Sequence, residues 1–145
     1  MAANINKAPT WFWVVAVILL LWSMAGLAAL YGHMSIDAKA LAAMSDYDRI
    51  YFKALPLWFA YDFALATITA FVGAVCLLAR RAIAMPLYLF SLIGVLIQFG
   101  WMLGATDIIA VKGFAQAAIF PIVVIVMAVV GLWFAGVARG RRWIA

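Results

Sequence analysis

Asp62 is the residue whose chemistry most needs explaining. It sits inside residues 55–81, a hydrophobic run long enough to cross a bilayer as a helix. Its depth from the start of that run is roughly 10 Å, at about 1.5 Å per helical residue. A carboxylate at a helix centre costs roughly 2.5–3.5 kcal/mol on insertion scales, and less nearer the interface. Two chemistries fit such an acid. It could couple protons to the movement of a substrate. It could instead be a structural acid, paired with His33, Lys53 or Arg49 or hydrogen-bonded to Gln98. The structural role is favoured, because a depth of two turns admits water and snorkelling partners. His33 could ligate a pigment or metal, or act as a pH switch. It is the one histidine in the chain, and the one cysteine, Cys76, lies far off in sequence. An interfacial role is therefore favoured for it. Gln98 could bridge helices or bind a substrate. Gln116, Tyr61 and Trp101 complete the candidate set by their expected height.

The elements that position these residues follow from composition. The chain has 145 residues, of which 71% are hydrophobic and 10% charged. Its mean hydropathy is +1.18. Soluble domains run near ~45–50% apolar, so the expected solvent is lipid. Four spans are predicted, at about 11–31, 56–79, 82–103 and 114–138. The fold class is therefore an all-α integral membrane protein, a single domain over residues 1–145 built as a four-transmembrane-helix bundle. The first apolar run is too long for a signal peptide and is read as a span. Residues 35–55 form a short amphipathic helical segment outside the membrane. Within it, Ser45 and Asp48 resemble a capping box, and Tyr47, Ile50, Tyr51 and Ala54 share a face. This segment lies on the membrane surface or folds over the bundle mouth. The tail, 139–145, is basic, with Trp143 as an interfacial anchor.

Charge sets the expected orientation. The N-terminal segment, the second loop and the tail carry Lys7, Arg80, Arg81, Arg139, Arg141 and Arg142, with no acid. Lys39, Arg49, Lys53 and Lys112 on the other side are matched by Asp37, Asp46, Asp48 and Asp107. The positive-inside rule puts both termini in the cytoplasm. The same arginines could also meet anionic lipid head groups. His33, Asp62 and Gln98 then share the outer layer, which predicts an outward-facing polar pocket capped by 35–55. Trp22, near mid-span, lines a cavity or faces lipid.

Small residues should mark the packed faces, because lipid offers no hydrophobic force to drive helices together. Ser23, Gly26 and His33 align on the first span. Asp62, Ala66, Thr69 and Gly73 align on the second. Ser91, Gly94, Gln98 and Trp101 align on the third, and Ala117, Pro121, Ala128, Gly131 and Ala135 on the fourth. Gly100 and Gly104 make a GxxxG pair, read as intramolecular packing ahead of a dimer seam.

Several functions are set aside. The chain has no HExxH, no GxSxG, no CxxC and no glutamate. Four-helix multidrug carriers rely on a glutamate in the first span. Trimeric glutathione-using membrane enzymes carry an Arg/Glu/Asn motif in the second helix. Neither pattern is present. No metal, cofactor or nucleic acid is expected, and the protein is not expected to be an enzyme.

The run 77–94 holds the turn arginines Arg80 and Arg81, then Pro86, Ser91 and Gly94. With Pro56 and Trp58 upstream and the Trp22-xxx-Gly26 pair, it resembles a group of small four-helix bacterial inner-membrane proteins, some labelled sugar-transporter-like. The resemblance covers about the central half of the chain. It departs at Ser23, where the group carries asparagine. It implies a four-span fold in a bacterial inner membrane. The leading functional reading is an accessory or assembly subunit, working with membrane lipid in a homo-oligomer or larger complex. The alternative is a small oligomeric transporter or channel with Asp62 as its coupling residue.

Overall fold

The computed structural model describes residues 5–145. Every element among them is helical: α1 (Thr10–Met34), α2 (Ala38–Ala43), α3 (Asp46–Ala54), α4 (Leu57–Leu78), α5 (Ala84–Ala105), α6 (Ile108–Lys112) and α7 (Phe114–Gly140). The helices α1, α4, α5 and α7 are long and apolar enough to cross a membrane. They match the four predicted spans to within three residues at each end. Pro9 and Pro56, both in extended backbone, stand immediately before α1 and α4. A proline there gives up an N–H that has no helical partner in any case.

The long helices pack in series, α1 on α4, α4 on α5 and α5 on α7. The packed core lies toward the end that holds both termini. Phe12 of α1, Leu77 of α4 and Phe134 of α7 are fully buried there. Phe12 stacks on Phe134 with ring centroids 5.5 Å apart. A smaller cluster of Ala66, Val95 and Phe99 stands nearer the opposite end.

Tyr88 of α5 wedges between two glycines. A Cβ at position 131 of α7 would lie 2.6 Å from Cδ1 and Cε1 of its ring, and one at position 73 of α4 would lie 3.3 Å from Cδ2 and Cε2. The ring thus fills space that only glycine leaves, and it joins three helices. Gly94 brings α5 onto α4, where a Cβ would meet that of Ala66 at 3.0 Å. Gly26 of α1 lies against Thr67 of α4, where an added Cβ would stand 3.3 Å from the threonine methyl group. Gly100 and Gly104 meet nothing within 4 Å. Their expected intramolecular packing is not seen, because α5 turns this pair away from its neighbours.

The tail differs most from its sequence reading. Trp143 is only 6% exposed and packs against Trp11 and Phe12. It is a core residue and not a surface anchor. Arg80, in the left-handed region at φ 57°, organises this end. Its Nε donates to the Trp143 carbonyl at 2.7 Å, and its guanidinium also reaches the Asn6 carbonyl. The Ala82 N–H donates to the Ala145 carbonyl, and the Ala145 N–H to the Arg80 carbonyl. The Asn6 N–H donates to the Arg142 carbonyl. Arg80 therefore ties the α4–α5 turn, the N-terminal segment and the tail into one knot, a structural role that charge counting does not supply. Arg81, Arg139, Arg141 and Arg142 remain exposed at this end.

Gly131→Ala is expected to destabilise the fold by about 1–3 kcal/mol, the cost of overpacking a close-packed site. Gly136→Ala on the same helix, where a Cβ meets nothing, is expected to be neutral. Thermal unfolding in detergent checks both. Adding Tyr88→Leu to Gly131→Ala should recover part of the loss if the ring is the obstacle.

Candidate functional site

Away from the knot the bundle is hollow. A cavity of about 660 Å³ lies among α1, α4, α5 and α7. Tyr88, Leu19 and Met127 line its inner end. His33, Tyr51 and Met102 line it at the opposite end. Its walls are mostly apolar, with Phe59 and Phe63 of α4, Phe99 of α5 and Phe120 of α7 among them. Trp22 lines it, which settles the choice left open for that residue.

The segment between α1 and α4 closes the mouth. Asp37 caps α2, accepting from the Ala40 N–H at 2.7 Å. Ser45 caps α3, accepting from the Asp48 N–H at 3.1 Å while its hydroxyl donates to the Asp48 carboxylate at 2.7 Å. This is one half of the predicted capping box: Ser45 caps the helix, but the Asp48 carboxylate takes the Ser45 hydroxyl rather than its backbone N–H. The predicted apolar face of α3, from Tyr47 to Ala54, turns toward Trp101, Ala105 and Thr106 at the end of α5. Tyr51, Phe52 and Leu55 look into the cavity. Of the two placements considered, the segment folds over the mouth.

Polar contacts tie this cap to the α6 loop. The Tyr47 hydroxyl donates to Asp107 at 2.8 Å. The Lys112 ammonium pairs with Asp48 and lies 5.9 Å from the Tyr47 ring centre. The Lys112 and Ser45 hydrogen bonds hold the Asp48 carboxyl below its ordinary value of 3.8. Lost solvation, and next the bond to the Asp107 carboxylate, push the Tyr47 hydroxyl up to about 12.

The predicted site residues divide into three groups. His33 and Gln98 both line the cavity. The His33 ring sits in an aromatic setting, 5.1 Å from Phe52 and 5.5 Å from Phe63 between centroids. Gln98 is 6% exposed, and its amide makes no hydrogen bond to another described residue. Asp62 and Trp101 flank the cavity without lining it. Asp62 lies on the α4–α5 seam, its Oδ1 3.3 Å from where a Cβ on Gly94 would be. Its Oδ2 is buried with no hydrogen-bond partner, and no ion pair reaches it from His33, Lys53 or Arg49. Arg49 pairs with Asp46 instead. Trp101 packs edge-on against Trp58 and Phe59, at 5.5 and 5.8 Å. Tyr61, 70% exposed, and Gln116 face outward, away from the cavity.

The small-residue stripe of α4 marks chiefly the seam with α5, and of its members only Ala66 also lines the cavity. Thr69 of that stripe donates its hydroxyl to its own helix at Leu65 (2.7 Å). The cavity instead receives Thr67, together with Phe63 and Ala70. Ser91 faces it from α5, and Ser23 faces it from α1 with its hydroxyl already bonded to the Leu20 carbonyl at 2.8 Å. No cluster of three or more metal-ligating side chains occurs among the described residues.

No family model, curated protein or solved structure matches the chain. The class therefore rests on the fold itself, an all-helical bundle whose four long apolar helices suggest a multi-pass membrane protein.

Acid should loosen the cap. The folded-state value of Asp48 is depressed, so its stabilising contribution is present above 3.8 and disappears as pH falls through the folded value. Spin labels at Ile50 and Val111, both exposed, in a Cys76→Ala background are expected to report one narrow distance above pH 4. The distribution should broaden below 3.8. Asp48→Asn should broaden it at every pH.

Proposed function

We propose that this protein spans a bacterial inner membrane four times and binds a small lipophilic molecule in its capped cavity, as a non-enzymatic accessory subunit. Both termini are assigned to the cytoplasm, which puts the arginine-rich end on the positive side. The cap then faces the periplasm. Such a subunit works as a homo-oligomer or within a larger membrane complex.

One observation carries the binding reading. Gln98 is buried at the cavity wall with its amide uncommitted. An amide left without a partner in an apolar setting costs roughly 1–3 kcal/mol. A ligand in the cavity can supply that partner. Most of the remaining wall is aliphatic or aromatic, which suits a largely apolar molecule with few polar groups.

Transport coupled through Asp62 fits less well, because the acid lies on the seam and outside the cavity lining. A coupling acid has to share the site or alternate with it. Asp62→Asn is therefore expected to leave ligand binding and folding intact. Loss of proton-dependent flux in vesicles carrying this variant, with the fold retained, would restore the transport reading.

Native mass spectrometry from mild detergent tests the binding reading directly. Wild-type protein should retain one small-molecule equivalent. Ala128→Phe, which fills the cavity from α7, should lose it while keeping its helical content. A folded wild type that carries nothing would end this reading.

A further inference from the structure

The cavity's shape narrows the ligand further. Along α5 it is lined from Tyr88 to Met102, and along α1 from Leu19 to His33. Each stretch rises about 21 Å at 1.5 Å per residue. The space is elongated along the bundle and is not a globular chamber. A sugar would need a ring of hydrogen-bonding partners that these walls do not provide.

The tube has a side opening. At the end holding the termini, Phe12 and Phe134 join α1 to α7. Toward the cap, Ala25 and Ala29 of α1 and Phe120 of α7 line the cavity and are accessible, Phe120 to 63%, and α1 and α7 are not among the closely packed helix pairs. Accessible wall residues between helices that do not pack closely mark a slot. The cap covers the axial mouth but not this slot. At the capped end stand the Gln98 amide and the His33 ring. The inner end offers the Tyr88 ring, whose own hydroxyl is buried, with Leu19 and Met127.

Resting on the binding reading above, we propose that the ligand is a single-chain amphiphile that enters sideways between α1 and α7. Its hydrocarbon chain runs down the tube toward Tyr88. Its small hydrogen-bonding head stays under the cap beside Gln98. A free fatty acid or monoacyl lipid has this chemistry, and so does one chain of a resident bilayer lipid. Lipid tails are as apolar as the walls, so moving a chain from bilayer to tube gains little. Retention therefore depends on the head and on Gln98.

The test uses the full chain in nanodiscs, with cis-parinaric acid as the single-chain probe and energy transfer from protein tryptophans, of which Trp22 lines the tube, as the readout. Saturable binding at one equivalent is expected. Ala29→Trp, which narrows the slot from an exposed position, should weaken binding at least tenfold. Leu21→Trp, exposed on α1 but outside the lining, should leave it unchanged. Gln98→Leu should weaken it about fivefold, the scale of one hydrogen bond. Non-saturable binding, or Ala29→Trp binding like wild type, overturns the proposal. So does a compact polar or multi-ring molecule as the native adduct, though the binding reading survives that result. Absence of any adduct or probe binding defeats both. Brominated monoacyl and diacyl lipids then separate the sources. Quenching by the monoacyl form alone assigns a free amphiphile, and equal quenching by both assigns a bilayer lipid chain. Quenching by neither overturns the proposal.

Discussion

The Tyr88 ring, held between Gly73 and Gly131, is the contact on which the bundle depends. It sets the spacing of α4, α5 and α7 at one depth. Below it, toward the termini, side chains fill the interior. Above it, they do not. A bulky ring at a three-helix junction keeps the helices apart where the next residues on each wall are small, such as Ala70, Ser91 and Ala128. The space left over is the cavity. The tyrosine is thus both the floor of the cavity and the reason there is one.

The two ends of the bundle are held by different forces. The terminal end is fastened by backbone hydrogen bonds around Arg80 and by buried aromatic packing. The capped end is fastened by exposed polar contacts among Tyr47, Asp48, Asp107 and Lys112. Exposed ion pairs are worth about 0–1 kcal/mol each and weaken with salt. The capped end is therefore the more weakly fastened of the two. That division puts the responsive part of the molecule over the cavity mouth.

Much of this was legible in the sequence, and the residues that were not share a cause. The four long helices follow from hydropathy, and the cap from Ser45 and Asp48. The shared outer layer of His33 and Gln98 follows from helical rise. Direction around a helix was harder. Small residues report where another helix comes close, and on α4 that is the seam with α5. Thr69, expected on an interior face, spends its hydroxyl on its own helix, and it is Thr67 that the cavity receives. Apolar bulk near a cavity looks the same in sequence as apolar bulk facing lipid, so Phe63 and Phe120 gave no signal. Arg80 and Trp143 are joined across 63 residues, a pairing that local pattern does not encode. Tyr61 and Gln116 had the right height and the wrong azimuth.

The Phe12–Phe134 stack has a mechanical meaning. It pins α1 to α7 at one end, while toward the cap α1 leans on α4 through Gly26 and His33 and not on α7. From Phe12 to Ala29 is a lever arm of about 25 Å at 1.5 Å per residue. A tilt of about 5° at the pin moves the far end by about 2 Å over that arm. Small angular play at a tightly packed hinge thus becomes a width change comparable to a methyl group at the slot. The bundle behaves as a pair of tongs. The width of the slot is set far from the slot itself.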